Sequence, residues 1–101
     1  MNIKKTNING LIVPLTTPFD KDEKLDLKTL KRHINYLIET GVKTVISNSG
    51  TGDYNSLDES ERKQIAEATV DIVAGRINVL IGGSSCSTRT AIKWSKHAES
   101  I

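Results

Sequence analysis

Ser47-Asn48-Ser49-Gly50-Thr51-Gly52-Asp53-Tyr54-Asn55-Ser56-Leu57 marks the switch from one hydrophobic period to another. The short β-branched run Thr44-Val45-Ile46 precedes it, and Ser56-Leu57-Asp58-Glu59 reads as a helix start. The stretch therefore lies where a strand ends and a helix begins. In parallel α/β proteins, ligands bind at that edge, outside the carboxyl ends of the strands. Gly50 and Gly52 permit a sharp turn and a close approach of backbone to ligand. Thr51 between them offers a hydroxyl and a backbone N–H at one point, which suits a carboxylate or a phosphate. The same residues are equally consistent with a tight turn and nothing more.

Towards the C-terminus, Ser56 and Glu59 have capping-box spacing. Ile65, Ala68, Thr69, Ile72 and Val73 then fall on one helical face. Asp58, Glu59, Glu61, Arg62 and Lys63 read as a solvated start, its acids suited to the helix dipole. Gly75 ends this helix. A third strand is expected over residues 77–81, with the exit loop Gly82-Gly83-Ser84-Ser85-Cys86-Ser87. Thr88 can cap a third helix that turns Ala91, Ile92, Ser95, Ala98 and Ile101 inward, with Trp94 at its edge.

Towards the N-terminus, a strand is expected over residues 42–47. Before it, a helix capped by Asp26 carries Leu27, Leu30, Ile34, Leu37 and Ile38 on one face, and Gly41 stops it. The apolar run over residues 11–15 suits a first strand buried on both faces, with Pro14 near its end where pairing stops. Residues 1–9 form a polar lead-in, and residues 10–101 one unit. Three strand–helix repeats in succession imply an α/β fold with a parallel sheet.

The net charge of +2 comes from interleaved acids and bases. No basic stripe or aromatic platform appears, which argues against a nucleic-acid partner. A single cysteine, Cys86, excludes an internal disulfide framework and fits a reducing, cytoplasmic setting. The run over residues 11–15 is too short for a signal-peptide core or a membrane span. His33 has no second ligand at metal-binding spacing, and Cys86 has no identifiable base to activate it. No G-x-G-x-x-G or P-loop pattern follows the first strand. Three repeats leave sheet edges unpaired, and the chain ends at Ile101 without a cap, so the first part of a larger protein is expected.

Four segments, in order and spacing, resemble the dihydrodipicolinate synthase/N-acetylneuraminate lyase family. They are Gly10-Leu11-Ile12-Val13-Pro14-Leu15-Thr16-Thr17-Pro18-Phe19; Gly41-Val42; Ser49-Gly50-Thr51-Gly52-Asp53 with Leu57 and Glu61-Arg62; and Gly82-Gly83-Ser84-Ser85 with Ser87-Thr88. The resemblance implies the amino-terminal part, about three βα units, of a (β/α)8 TIM barrel. It also implies a class I aldolase-type enzyme, often a homotetramer, needing neither cofactor nor metal. A lysine late in such a barrel forms a Schiff base with pyruvate or a related 2-oxo acid, and a tyrosine relays protons. Both are expected beyond Ile101. Carried over by position, Gly50, Thr51 and Gly52 hold the oxo acid's carboxylate, and Asp53 and Tyr54 stand at the site mouth. Asp53 replaces the family's usual glutamate. Gly50 replaces a hydroxyl residue of the synthases and sialic-acid lyases, which looks more like the sugar-acid dehydratase branch.

The residues themselves agree that the nucleophile is elsewhere. A Schiff-base lysine must be partly desolvated to be neutral near pH 7. Lys28, Lys31, Lys63, Lys93 and Lys96 lie on solvated helices, and Lys43 starts a strand, the wrong end of a barrel. Lys4, Lys5, Lys21 and Lys24 lie in polar segments. The fragment alone is expected to be inactive. A non-catalytic fragment or a small flavodoxin-like binding module is the alternative.

Overall fold

The computed structural model describes residues 7–101. Most of the polar lead-in expected over residues 1–9 lies outside them; residues 7–9 are exposed. The elements are β1 (Ile12–Pro14), α1 (Leu27–Glu39), β2 (Thr44–Ser47), a 3-10 turn (Tyr54–Ser56), α2 (Glu59–Val73), β3 (Asn78–Ile81) and α3 (Thr88–Ser100). The strands form one parallel sheet in the order β1-β2-β3, with Val13, Val45 and Val79 in register. The strands follow one another in chain order, as they do in a β/α barrel.

Side chains alternate across a strand, and Val45 points to the helices. It joins Leu15 with Leu30 and Ile34 of α1 and Ile65 and Val73 of α2 in one buried core, with Val79 packed against it. Burying each such side chain contributes about 1.5–3 kcal/mol relative to exposure.

Local chemistry sets the helix ends. Asp26 caps α1 through the Thr29 N–H at 3.0 Å and the Thr29 hydroxyl at 2.8 Å. At its other end Gly41 N–H donates to the Ile38 carbonyl and Val42 N–H to that of Leu37, with Gly41 at φ 95°. That is a Schellman motif, and its left-handed residue favours glycine. Helix α2 begins two residues later than the Ser56 box implies. Asp58 is the cap and Glu61 completes the box, each side chain taking the other residue's N–H. The 3-10 turn uses Ser56 first, which moves the true start downstream. Likewise Ser87, not Thr88, caps α3, by accepting the Thr90 N–H. Arg76 closes α2: its Nη2 donates to the Ile72 carbonyl at 2.7 Å and to Asn35 Oδ1 at 2.8 Å, tying α2 to α1.

Two expectations need correcting. Strand β1 is not buried on both faces: Leu11 is 76% exposed and Ile12 38%. Among the described residues it pairs only with β2, and Pro14 is its last residue, where a missing N–H is tolerated. Helix α3 is rotated relative to the expected face. Trp94 is buried, whereas Ile92 and Ser95 are exposed. The indole goes inward, where it lies against the Arg62 guanidinium.

Candidate functional site

The loops that leave the three strands converge at the carboxyl edge of the sheet. After β2 the chain turns at Asn48, which is buried and left-handed at φ 55°. Its Nδ2 donates to the Arg62 carbonyl at 3.0 Å, which holds the turn to the first turn of α2. Asn tolerates this conformation better than most residues. The second left-handed residue is Asp53, at φ 58°, which leads into the 3-10 turn. The sharp bends therefore fall at Asn48 and Asp53, not at the two glycines.

The glycines differ from each other. Gly50 has open space around its missing side chain and no positive φ. Gly52 is buried, and a Cβ there would lie 3.0 Å from the Leu15 carbonyl oxygen and 3.3 Å from the Thr17 hydroxyl. That hydroxyl donates to the Gly52 carbonyl at 2.5 Å. Close packing against the β1 exit, rather than backbone freedom, is what requires glycine at 52. Thr51 stands exposed at the apex between them, and the Asp53 N–H closes the turn onto the Gly50 carbonyl.

The β3 exit packs on the β2 exit just as closely. Gly82 N–H donates to the Ser47 carbonyl at 2.8 Å, and a Cβ on Gly82 would sit 2.2 Å from the Asn48 carbonyl oxygen. Ser47 Oγ, Ser49 Oγ and Asn48 Oδ1 are buried beside this junction with no protein partner among the described residues. Such unsatisfied groups are uncommon in folded proteins, and each calls for a partner such as a water or a ligand atom.

Arg62 is the residue that sequence reasoning placed wrongly. Expected in the solvated start of α2, it is 6% exposed. Its guanidinium lies 5.0 Å from the Tyr54 ring centroid and 4.6 Å from that of Trp94. Its Nη2 donates to the Gly82 carbonyl at 3.0 Å, while Nε has no partner among the described residues. Burial pulls its pKa below the ordinary arginine value, and Tyr54 opposes the shift; an arginine so placed stays charged. The signal for its burial was present: positions 62, 65, 66, 69 and 73 make one helical stripe, all buried.

Tyr54 thus turns to Arg62, and with Arg62, Ser85, Cys86 and Trp94 it lines a hollow of about 290 Å³. Asp53 is exposed and makes no side-chain cap bond. Cys86 is exposed. No described lysine is buried; Lys63, the least exposed, still has 45% of its side chain in solvent. Among the described residues, no three His, Cys, Asp or Glu side chains are grouped to hold a metal ion. No helix there is long and apolar enough to cross a membrane. Among the described residues the arrangement gathers hydroxyl and N–H donors at a strand exit, with no buried lysine beside them.

Comparison with known proteins matches residues 7–101 to the model of the dihydrodipicolinate synthetase family. An uncharacterized DapA-like lyase of Pyrococcus abyssi is 44% identical over 94 residues, which are 93% of this chain and 31% of that protein. A 4-hydroxy-tetrahydrodipicolinate synthase of Methanococcus vannielii is 37% identical, with 93% and 32% covered. The crystal structure of dihydrodipicolinate synthase from Acinetobacter baumannii, complexed with pyruvate, superposes with a TM-score of 0.90 at 31% identity, covering 93% of this chain and 32% of that one. The chain spans about a third of the length of these relatives.

Proposed function

The chain belongs to the dihydrodipicolinate synthetase family, and from that premise we propose that it forms the first three βα units of a Schiff-base lyase or synthase acting on pyruvate or a related 2-oxo acid. In the complete barrel a lysine outside residues 1–101 attacks the keto carbon and expels water to give the imine. A tyrosine beyond Ile101 relays the protons. Residues of this chain hold the other end of the substrate. The Thr51 hydroxyl and the N–H groups around Gly50 and Gly52 bind the carboxylate, and Thr17 keeps that loop in place through the Gly52 carbonyl. The whole protein works in the cytoplasm as a homo-oligomer.

The observation that carries this reading is the contrast between the loop and the lysines. Donors suited to a carboxylate are held at the carboxyl edge of the sheet, where barrel enzymes react. Every described lysine is instead solvated, and a solvated amine is protonated and a poor nucleophile. Thr51→Val keeps the shape and removes the hydroxyl. In the intact protein, pyruvate affinity should fall roughly ten- to a hundredfold, the worth of a charge-assisted hydrogen bond of about 1.5–3 kcal/mol. Unchanged affinity would remove Thr51 from the site.

Sugar-acid dehydration is favoured over aldol chemistry by Gly50. Its backbone conformation and surroundings accept a side chain, so glycine there is not a steric requirement. A site without that hydroxyl lacks one proton-relay group. Comparing turnover of a 4-deoxy-5-keto sugar acid with aldol cleavage of a 4-hydroxy-2-oxo acid tests this choice.

A further inference from the structure

We propose that Arg62 is a positioning residue: it locks the β2 exit loop to the β3 exit loop and so sets where Thr51 meets a bound carboxylate. The identity of that ligand rests on the function proposed above; the coupling of the two loops does not.

Arg62 grips the β2 exit at both ends. Its carbonyl accepts from Asn48 Nδ2, and its guanidinium covers the Tyr54 ring. Thr51 lies midway, three residues from each. The same guanidinium donates to the Gly82 carbonyl of the β3 exit and stacks on Trp94 of α3. Thus one side chain of α2 connects both strand-exit loops and the following helix. Lys93 Nζ also approaches the Trp94 ring, at 5.6 Å, from the solvent side.

Stability alone does not account for an arginine here. Removing a guanidinium from water is costly, and buried charges are often replaced by apolar residues without loss. Among the described residues this one makes a single side-chain hydrogen bond and leaves Nε unpaired. Its two ring contacts offset part of the desolvation. What an apolar residue cannot supply is a flat, directional fork that fixes a carbonyl on one loop while its face registers a ring on the other.

The test uses Arg62→Met, which keeps the apolar stem between the rings and removes the fork, with Arg62→Lys beside it. Hydrogen exchange is read at the amides of Asp53, Tyr54 and Gly82, whose bonds close the two exits. In Arg62→Met these should exchange about tenfold faster or more, while the α1 amides of Leu30 and Ile34 stay at wild-type rates. In the intact protein, KM for pyruvate should rise by about tenfold with kcat within about twofold, and Arg62→Lys should recover part of both effects. Uniformly faster exchange in loops and α1, or unchanged loop exchange, would overturn the proposal. So would weaker pyruvate binding in Thr51→Val with none in Arg62→Met. Loop exchange that responds while neither variant affects pyruvate would support the coupling and refute the pyruvate reading instead. If Arg62→Met does not fold, Arg62→Lys is read instead: loop exchange should rise severalfold with the α1 amides unchanged, and unchanged loop exchange would overturn the proposal.

Discussion

Replacing Gly82 by alanine adds one methyl group where, of the described glycines, a side chain would meet the closest neighbour. The new Cβ would lie 2.2 Å from the Asn48 carbonyl oxygen and 2.8 Å from its carbon, where ordinary contact begins at 3.4 Å. The neighbour is backbone, so no rotamer change relieves the overlap. The two exits must separate by about 1.2 Å, the difference between those distances. That movement would stretch the 2.8 Å bond from Gly82 N–H to the Ser47 carbonyl beyond hydrogen-bonding range. Strain from overpacking costs about 1–3 kcal/mol, and the lost bond about 1 more, so Gly82→Ala should destabilise by about 2–4 kcal/mol. In the complete barrel, whose relatives are about three times this length, the melting temperature would drop by roughly 4–16 °C. Urea and thermal unfolding followed by circular dichroism measure it. Gly50→Ala is the matched control, since its Cβ meets nothing and its φ is ordinary; it should change stability by less than about 1 kcal/mol. Equal, small effects at both positions would refute the claim that the two strand exits are in backbone contact.

Asp58→Ala removes the α2 capping box and should cost about 1 kcal/mol in a urea titration, whereas Ser56→Ala should cost clearly less, because Ser56 does not cap the helix. Acid should destabilise the fold in a defined direction. The Thr29 N–H and hydroxyl hold the Asp26 carboxyl below 3.8, and a hydrogen bond from Lys93 holds Glu59 below 4.5. Groups lowered in the folded state add stability that is present above those unfolded values and is lost as pH falls through the folded ones. Melting curves taken below about pH 5 should therefore show a falling melting temperature, with a shallower fall in Asp26→Asn, which keeps the cap but does not titrate.

Much of this architecture was legible because it is local. The switch from β-branched runs to helical periodicity locates β2, α2, β3 and α3, and Gly41 and Asp26 mark the ends of α1 by their own backbone chemistry. The misplacements have long-range causes. Arg62 looked solvated among Glu59, Glu61 and Lys63, and only the fold brings Tyr54 and Trp94 to it. Trp94 turned inward for the same reason, and that rotation left Ile92 exposed. The glycines of the β2 exit were recognisable as a loop signal, but their roles were not. Whether a glycine serves a turn or a close contact depends on what lies beside it, and for Gly52 that is Thr17, 35 residues away.

In the function proposed above, this chain supplies the carboxylate-binding arc of a Schiff-base barrel and the nucleophile lies outside it. Borohydride trapping with pyruvate, read by mass spectrometry of the protein and its peptides, tests that division directly. No stoichiometric adduct is expected on the 101-residue chain. In a protein that completes the barrel, one adduct is expected, on a lysine outside these residues. A single-site, stoichiometric adduct on any lysine of this chain would contradict that division.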